Sequence, residues 1–279
     1  MSKFSNQKCQ SCGNTTNIKK LSYEIADIFL CKKSCIYTRP KVNTNSLYTP
    51  EYFKDNYETR ITTQAKTSHK ISSFLKKHIP KGSILDYGCG TGSFLLTAEE
   101  FGFTQNIGID VSDYSTSLAQ SKAKSSNFTT TQSSLENKKF DCISFIDSIA
   151  HIEDMNAVLS KLIKNNLKSD GFILIRTPNI SKLYLLYVLL IRNFFPKSYQ
   201  ASFFFVPHRL FLFNKTSIQL FLTKYNLDIK EIYTEPDYKK TISFHKDISI
   251  KSLIDYFIRL KIPSLINRNN SMTLIAKLK

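Results

Sequence analysis

Leu85-Asp86-Tyr87-Gly88-Cys89-Gly90-Thr91-Gly92 is the stretch that decides the fold. Its three alternating glycines let a backbone turn sharply and let a ligand come close to it. Upstream, Ile84 to Tyr87 reads as a short buried strand. Downstream, Ser93 to Phe101 has helical length, with Gly102 placed to end it. Farther out the alternation continues. Strands are expected at Ile107–Val111, Phe128–Gln132, Phe140–Ile146 and Gly171–Arg176. Between the last two, Met155, Val158, Leu159, Leu162, Ile163 and Leu167 make one apolar face of a helix over Glu153–Leu167. A helix (Thr216–Tyr225) and two more strands (Leu227–Tyr233, Met272–Leu278) follow. Before the glycine stretch, residues 61–79 have a helical rhythm that Pro80 and Gly82 stop. Strands alternating with helices imply βαβ units, so an α/β fold with a mostly parallel sheet and helices on both faces.

Ligands of open α/β sheets bind beyond the carboxyl ends of the strands. Asp86, Gly88, Gly90 and Gly92 lie there. So does Asp110, 18 residues after Gly92, at the end of the second strand, where an acid can accept both hydroxyls of a ribose. Asp110 alone suits a nicotinamide cofactor equally well. Two further stretches discriminate: Phe140 to Asp147 with Ala150-His151-Ile152-Glu153-Asp154, and Leu167-Lys168-Ser169-Asp170-Gly171-Phe172-Ile173-Leu174-Ile175. Together with the glycine stretch they resemble, in order and spacing, the class I S-adenosylmethionine-dependent methyltransferases. The resemblance covers roughly residues 60–279. It implies a Rossmann-like seven-stranded sheet with an antiparallel last strand, and S-adenosylmethionine as cofactor. It also implies that Ser134 and Leu135 lie against the adenine and Asp147 near the methionine end. The family's common Glu-His pair after the fourth strand is here Ala150-His151.

Composition bounds the rest. The chain has 279 residues, 42% of them hydrophobic, which suits a full core and excludes wholesale disorder. Its net charge is +17, but only seven of the 39 basic residues are arginines. That charge suits an anionic partner: nucleic acid, a nucleotide-linked sugar or an acidic membrane. It equally suits a lysine-rich surface, and the scattering of the lysines favours the latter. The start, Met1 to Gln10, has no apolar run of a secretory signal, and Leu183–Ile191 is too short to span a bilayer. A cytoplasmic protein is expected.

Four of the six cysteines cluster as Cys9-x2-Cys12-x18-Cys31-x3-Cys35. Two cysteine pairs around a short β-rich loop fit a tetrahedral structural zinc, and a zinc-ribbon-like module over residues 1–40 is expected. Four unliganded thiols are the alternative. Residues 41–60 read as a connector and 61–279 as the larger domain. Within it an aromatic-rich insertion, 181–205, reads either as packed core or as a lid or lipid-facing surface.

The module, followed by Leu47-Tyr48-Thr49-Pro50-Glu51-Tyr52-Phe53, resembles the branch of the family that includes bacterial methyltransferases acting on nucleotide-linked sugars and surface glycans. Sugar C-methylating members carry Tyr-His-Glu-His where this chain has Phe205-Val206-Pro207-His208, so only the last His remains. This implies a hydroxyl acceptor in polysaccharide biosynthesis, with His208 or His151 as base. An RNA methyltransferase and a non-catalytic cofactor-binding scaffold are the alternatives. Against RNA bases, no Asn-Pro-Pro-aromatic tetrad follows the fourth strand.

Overall fold

The computed structural model describes residues 4–5, 8–15, 18–31, 33, 35–42, 61–206, 209–236 and 270–279. They contribute to two compact units: one within Met1–Val42, Pro178–Ile218 and Thr234–Met272, the other within Asn43–Thr177, Gln219–Tyr233 and Thr273–Lys279.

The second unit is built on a seven-stranded sheet. In chain order its strands are β5 (Ile84–Tyr87), β6 (Ile107–Ile109), β7 (Asn127–Thr129), β8 (Phe140–Ile146), β9 (Leu167–Pro178), β11 (Leu227–Glu235) and β12 (Ser271–Leu278). In space they run β11-β12-β9-β8-β5-β6-β7. The pairs β5/β6, β6/β7, β5/β8 and β8/β9 are parallel. From β5 the chain builds outward through β6 and β7, then returns to add β8 on β5's other side. Strand order thus reverses at β5, and the crevice at its carboxyl end is where such sheets bind ligands.

Consecutive residues Cys142 to Phe145 of β8 are all essentially inaccessible, so both faces of the sheet are covered. On one face lie α1 (Ile61–His78) and α2 (Ser93–Glu100), whose Ile71, Phe74, Leu75, Phe94 and Leu95 share a core with Ile84, Cys142 and Leu174. The helix α3 (Asp113–Gln120) is capped by Ser112, and α4 (Met155–Asn166) by Asp154, whose carboxylate accepts from the Ala157 N–H at 3.0 Å.

Several expected boundaries move, and the strand expected at 107–111 ends at Ile109. The strand expected at 128–132 ends at Thr129, and Gln132–Leu135 turns as a 3-10 helix. The fifth strand begins at Leu167, not after the Gly171 turn. Leu167 pairs with Phe140 and Phe172 with Cys142, so residues 168–171 bulge out of the ladder.

The first unit contains an antiparallel sheet in the order β1-β2-β3-β4-β10, with β1 (Phe4–Ser5), β2 (Ile18–Ser22), β3 (Ala26–Cys31), β4 (Ile36–Pro40) and β10 (Phe211–Leu212). The 181–205 segment folds as α5 (Lys182–Ile191), a 3-10 turn (Arg192–Phe194), the short α6 (Lys197–Gln200) and a second 3-10 turn (Ala201–Phe204). Its Tyr184, Val188, Phe203 and Phe204 share one core with Tyr23, Ile28 and Ile36. The expected insertion therefore sits in the same unit as the cysteine-bearing strands, much of it as packed core. A further helix, α7 (Lys215–Thr223), precedes β11.

Candidate active site

At the end of β5 the backbone turns through three glycines of positive φ: Gly88 at 81°, Gly90 at 52° and Gly92 at 77°. Gly92 is also the residue from which α2 starts. Gly88 has a second reason to lack a side chain, because a Cβ there would stand 2.4 Å from Cβ of Ser148. Ser148 in turn donates to the Tyr87 carbonyl at 2.5 Å, which ties the loop after β8 to the end of β5.

Asp110, just past β6, is bound into this loop. The Gly90 N–H donates to its Oδ2 at 2.8 Å and the Ser112 N–H to its Oδ1 at 3.1 Å. The amides of Gly88 and Cys89 both donate to the Ile109 carbonyl, at 2.7 and 2.9 Å. The acid and the glycine turn are therefore one construction. Burial raises the Asp110 pKa, against the pull of these amides.

Asp86 lies deeper and is 1% exposed. Ser144 Oγ donates to it at 2.7 Å. Burial pushes its pKa up to about 7, with the nearby Asp110 charge adding to the rise. A cation at this edge would restore its charge. No Lys or Arg occurs between Lys81 and Lys122, so the glycine turn and the strand after it bring acids and no cation of their own. The two carboxylates suit a ligand bearing hydroxyls and positive charge, which fits the ribose, ammonium and sulfonium of S-adenosylmethionine.

Asp147, the first residue past β8, has φ of 56° and pairs with the Arg176 guanidinium. Its N–H also donates to the Arg176 carbonyl at 2.8 Å. Arg176 is buried at the end of β9. Sequence reading did not single it out, although a charged residue closing the run Phe172-Ile173-Leu174-Ile175 was a usable signal. Val111 was not singled out either. It follows Asp110 and is 80% exposed, an apolar face beside the acid.

A cavity of about 760 Å³ opens beside Tyr87, lined among others by Gln132, Ser133, Leu135, Val158 and Leu162. Gln132 donates to the Tyr87 hydroxyl at 2.8 Å. Leu135 is thus brought to the cavity. Ser134 does not line it, and its hydroxyl donates to the Thr131 carbonyl at 2.7 Å.

His151 ends the 3-10 turn Ile149–His151 after β8, half-buried, at the same carboxyl edge, with Ala150 buried beside it. His208 lies outside the described residues. Cys89 and Cys142 are buried, and burial pushes both thiols up, so they read as packing residues.

In the first unit, Cys9, Cys12, Cys31 and Cys35 converge, their sulfurs all within 4.8 Å of one another. The Gly13 N–H returns to the Cys9 carbonyl at 2.8 Å, and the Cys31 N–H to the Cys35 carbonyl at 2.8 Å, so each pair sits on a tight turn. All four are free thiols. A tetrahedron with zinc–sulfur bonds of about 2.3 Å has edges of about 3.8 Å, and Cys12 and Cys31 stand 3.7 Å apart. The hydrogen bond from Cys35 draws Cys9 down to about 5, while burial and its neighbours push Cys31 up to about 11. One thiolate forms readily and opposes the next, a conflict that a divalent cation relieves. The donor set fits a closed structural zinc site with no open ligand position.

Comparison with known proteins agrees with this fold. No curated protein sequence matches the chain. Among solved structures, the plantazolicin methyltransferase BpumL, in complex with S-adenosylhomocysteine, is similar at 18% identity and a TM-score of 0.53, over 84% of this chain and 92% of that one. Magnesium protoporphyrin IX methyltransferase from Synechocystis PCC 6803, with bound S-adenosylmethionine, is similar at 15% identity and a TM-score of 0.52, over 85% and 95%. A methyltransferase in complex with the Haloferax volcanii Trm112 activator is similar at 12% identity and a TM-score of 0.54, over 80% and 96%. At these identities the likeness is one of fold. The family described as "Methyltransferase domain" matches residues 59–232, well over half of the chain. The chain therefore belongs to the methyltransferase-domain family, among the class I S-adenosylmethionine-dependent methyltransferases.

Proposed function

We propose that this chain binds S-adenosylmethionine at the carboxyl edge of β5 and β6 and passes its methyl group to a hydroxyl of a sugar, nucleotide-sugar or lipid-linked glycan. The observation that carries the cofactor half is the bond from Gly90 N–H to Asp110 Oδ2, which fixes an acid beside a glycine turn that bears no phosphate-binding cation. In this reading Asp110 accepts the ribose hydroxyls, Leu135 and Ser134 border the adenine, and Asp86 and Asp147 lie toward the methionine end. Asp147 is partly neutralised by Arg176, so Asp86 supplies the charge that the ammonium meets.

The cofactor when bound supplies an electrophilic methyl on a sulfonium. The chain's part is to align the acceptor in line with it and to exclude water. A hydroxyl is a weak nucleophile and needs its proton removed as attack proceeds. His151, at the carboxyl edge of β8, is proposed as the base, with His208 as the second candidate. What supports a hydroxyl over an exocyclic base amine is the run Asp147-Ser148-Ile149-Ala150 after β8, which offers no amide-and-proline clamp for a base. Cys9, Cys12, Cys31 and Cys35 are proposed to hold a structural zinc. A cytoplasmic setting remains an expectation.

The test is methyl transfer from labelled cofactor to nucleotide-sugars, lipid-linked glycans and RNA, with wild type and His151→Gln. Label on a sugar acceptor, reduced about a hundredfold or more in the variant, supports the reading. Label on RNA alone assigns the RNA function instead. Cofactor binding with no turnover on any acceptor assigns a scaffold.

A further inference from the structure

Among the described residues, seven large apolar side chains are exposed, and four of them fall on one short stretch: Leu183 (64%), Leu186 (55%), Leu190 (64%) and Phe194 (87%). The three leucines are spaced i, i+3, i+7 on α5, so they share one face. The face opposite holds the helix down. Tyr184 and Val188 are buried in the unit's core, and the Tyr184 hydroxyl donates to the Phe203 carbonyl at 2.9 Å. Ser181 caps the helix start, accepting from the Tyr184 N–H at 3.0 Å. The helix is therefore fixed in place while presenting leucines outward.

Such a helix is apolar on nearly every side, which in a water-facing position calls for a covering partner. The charge along its own stretch of chain says which. No Asp or Glu occurs between Asp170 and Asp228, a stretch that holds seven lysines and arginines. Lys182 opens α5 and Lys197 follows Phe194 by three residues, both exposed, one at each end of the apolar run. A second copy of the chain would bring the same lysines and another net +17 against this one, which is repulsive. An anionic lipid surface attracts the cations and accepts the leucines. Ten residues of helix measure about 15 Å, half of a bilayer's apolar thickness, and no described helix is long and apolar enough to cross a membrane. The geometry is that of a helix lying in the plane of the interface.

We propose that α5 and the turn after it dock this protein on an anionic membrane surface through Leu183, Leu186, Leu190 and Phe194, with Lys182 and Lys197 at the headgroups. It follows, resting on the glycan reading above, that the acceptor is the lipid-linked form, met at the membrane, over a free nucleotide-sugar.

The test is co-sedimentation of the full chain with vesicles of phosphatidylcholine alone and of an equimolar phosphatidylcholine–phosphatidylglycerol mixture. The same preparations are assayed for S-adenosylhomocysteine binding, melting temperature and oligomeric state. Wild type should sediment with the mixed vesicles and less with the neutral ones. The double variant Leu186→Gln, Leu190→Gln keeps the charge and a helix-compatible side chain. It should bind mixed vesicles about tenfold or more weakly, with an unchanged melting temperature. Lys182→Gln with Lys197→Gln should also weaken binding and reduce its dependence on salt.

Four results would overturn the proposal. One is no sedimentation of wild type. Another is equal sedimentation of the leucine variant, which means adsorption by charge alone. A third is a fall in the variant's melting temperature, which means the leucines are covered within the folded chain. The last is a wild-type dimer that the leucine substitutions dissociate. Retained S-adenosylhomocysteine binding with no vesicle binding removes the docking alone. Vesicle binding without S-adenosylhomocysteine binding removes the methyl-transfer reading alone.

Discussion

At the scale of single residues, Asp86 makes the clearest physical commitment. It is fully enclosed, accepts one hydroxyl hydrogen bond from Ser144, and holds its proton to about pH 7. An unfolded Asp loses that proton near pH ~3.9. The folded state therefore binds the extra proton. Its contribution to stability is complete below the unfolded value and is lost as pH rises through about 7. Denaturation midpoints from pH 4 to 8 should fall toward neutral pH in wild type and fall less in Asp86→Asn, and equal slopes would contradict this. Binding of a cationic cofactor has the opposite sign, since the ammonium favours the carboxylate. S-adenosylhomocysteine affinity should rise through pH 7 in wild type and rise less in the variant. The glycines and Asp110 were legible in the sequence because a sharp turn beside an acid constrains residue type at fixed spacing. Arg176 was not, because its pairing comes from strands brought together across the sheet. Arg176 reaches Asp147 over 29 residues.

At the scale of elements, β8 was read to its ends, Phe140 and Ile146, because a strand buried on both faces shows as an uninterrupted apolar run. The neighbouring elements were less legible. Residues 168–171 look like a turn, but the ladder to β8 continues past them as a bulge, and only pairing reveals that. Within the 181–205 segment, Tyr184 and Phe204 are core, while Leu186 and Leu190 face outward. Composition cannot separate them because both faces of α5 are apolar. The hairpin of β2 and β3 carries the cysteine pairs at its two ends, Cys31 terminating β3 and Cys9 and Cys12 preceding β2. If four thiolates share one zinc there, the full chain should carry one zinc per molecule, and Cys31→Ser should lose it. A chelator should lower the melting temperature, because the sheet that the metal staples also supports Ile28 and Ile36 of the core. A metal-free protein with unchanged melting would show that the sulfurs pack as thiols.

At the scale of the whole molecule, the net charge of +17 is the property that sequence alone left most open. The fold divides that charge unevenly. Asp86 and Asp110 stand in a stretch, residues 82–121, that holds no Lys or Arg. The acid-free stretch from 171 to 227 lies largely in the unit that bears the cysteines. A cofactor edge in one unit and a basic, apolar surface in the other are separate devices, and each has its own measurement. The central claim concerns the first. Calorimetry of S-adenosylhomocysteine binding to the full chain and to Asp110→Ala tests it most directly, because the product binds without an acceptor. Micromolar binding to wild type, weakened about a hundredfold or more when the carboxylate is removed, is the result predicted. No binding to folded wild type, or equal binding to both proteins, would contradict the account.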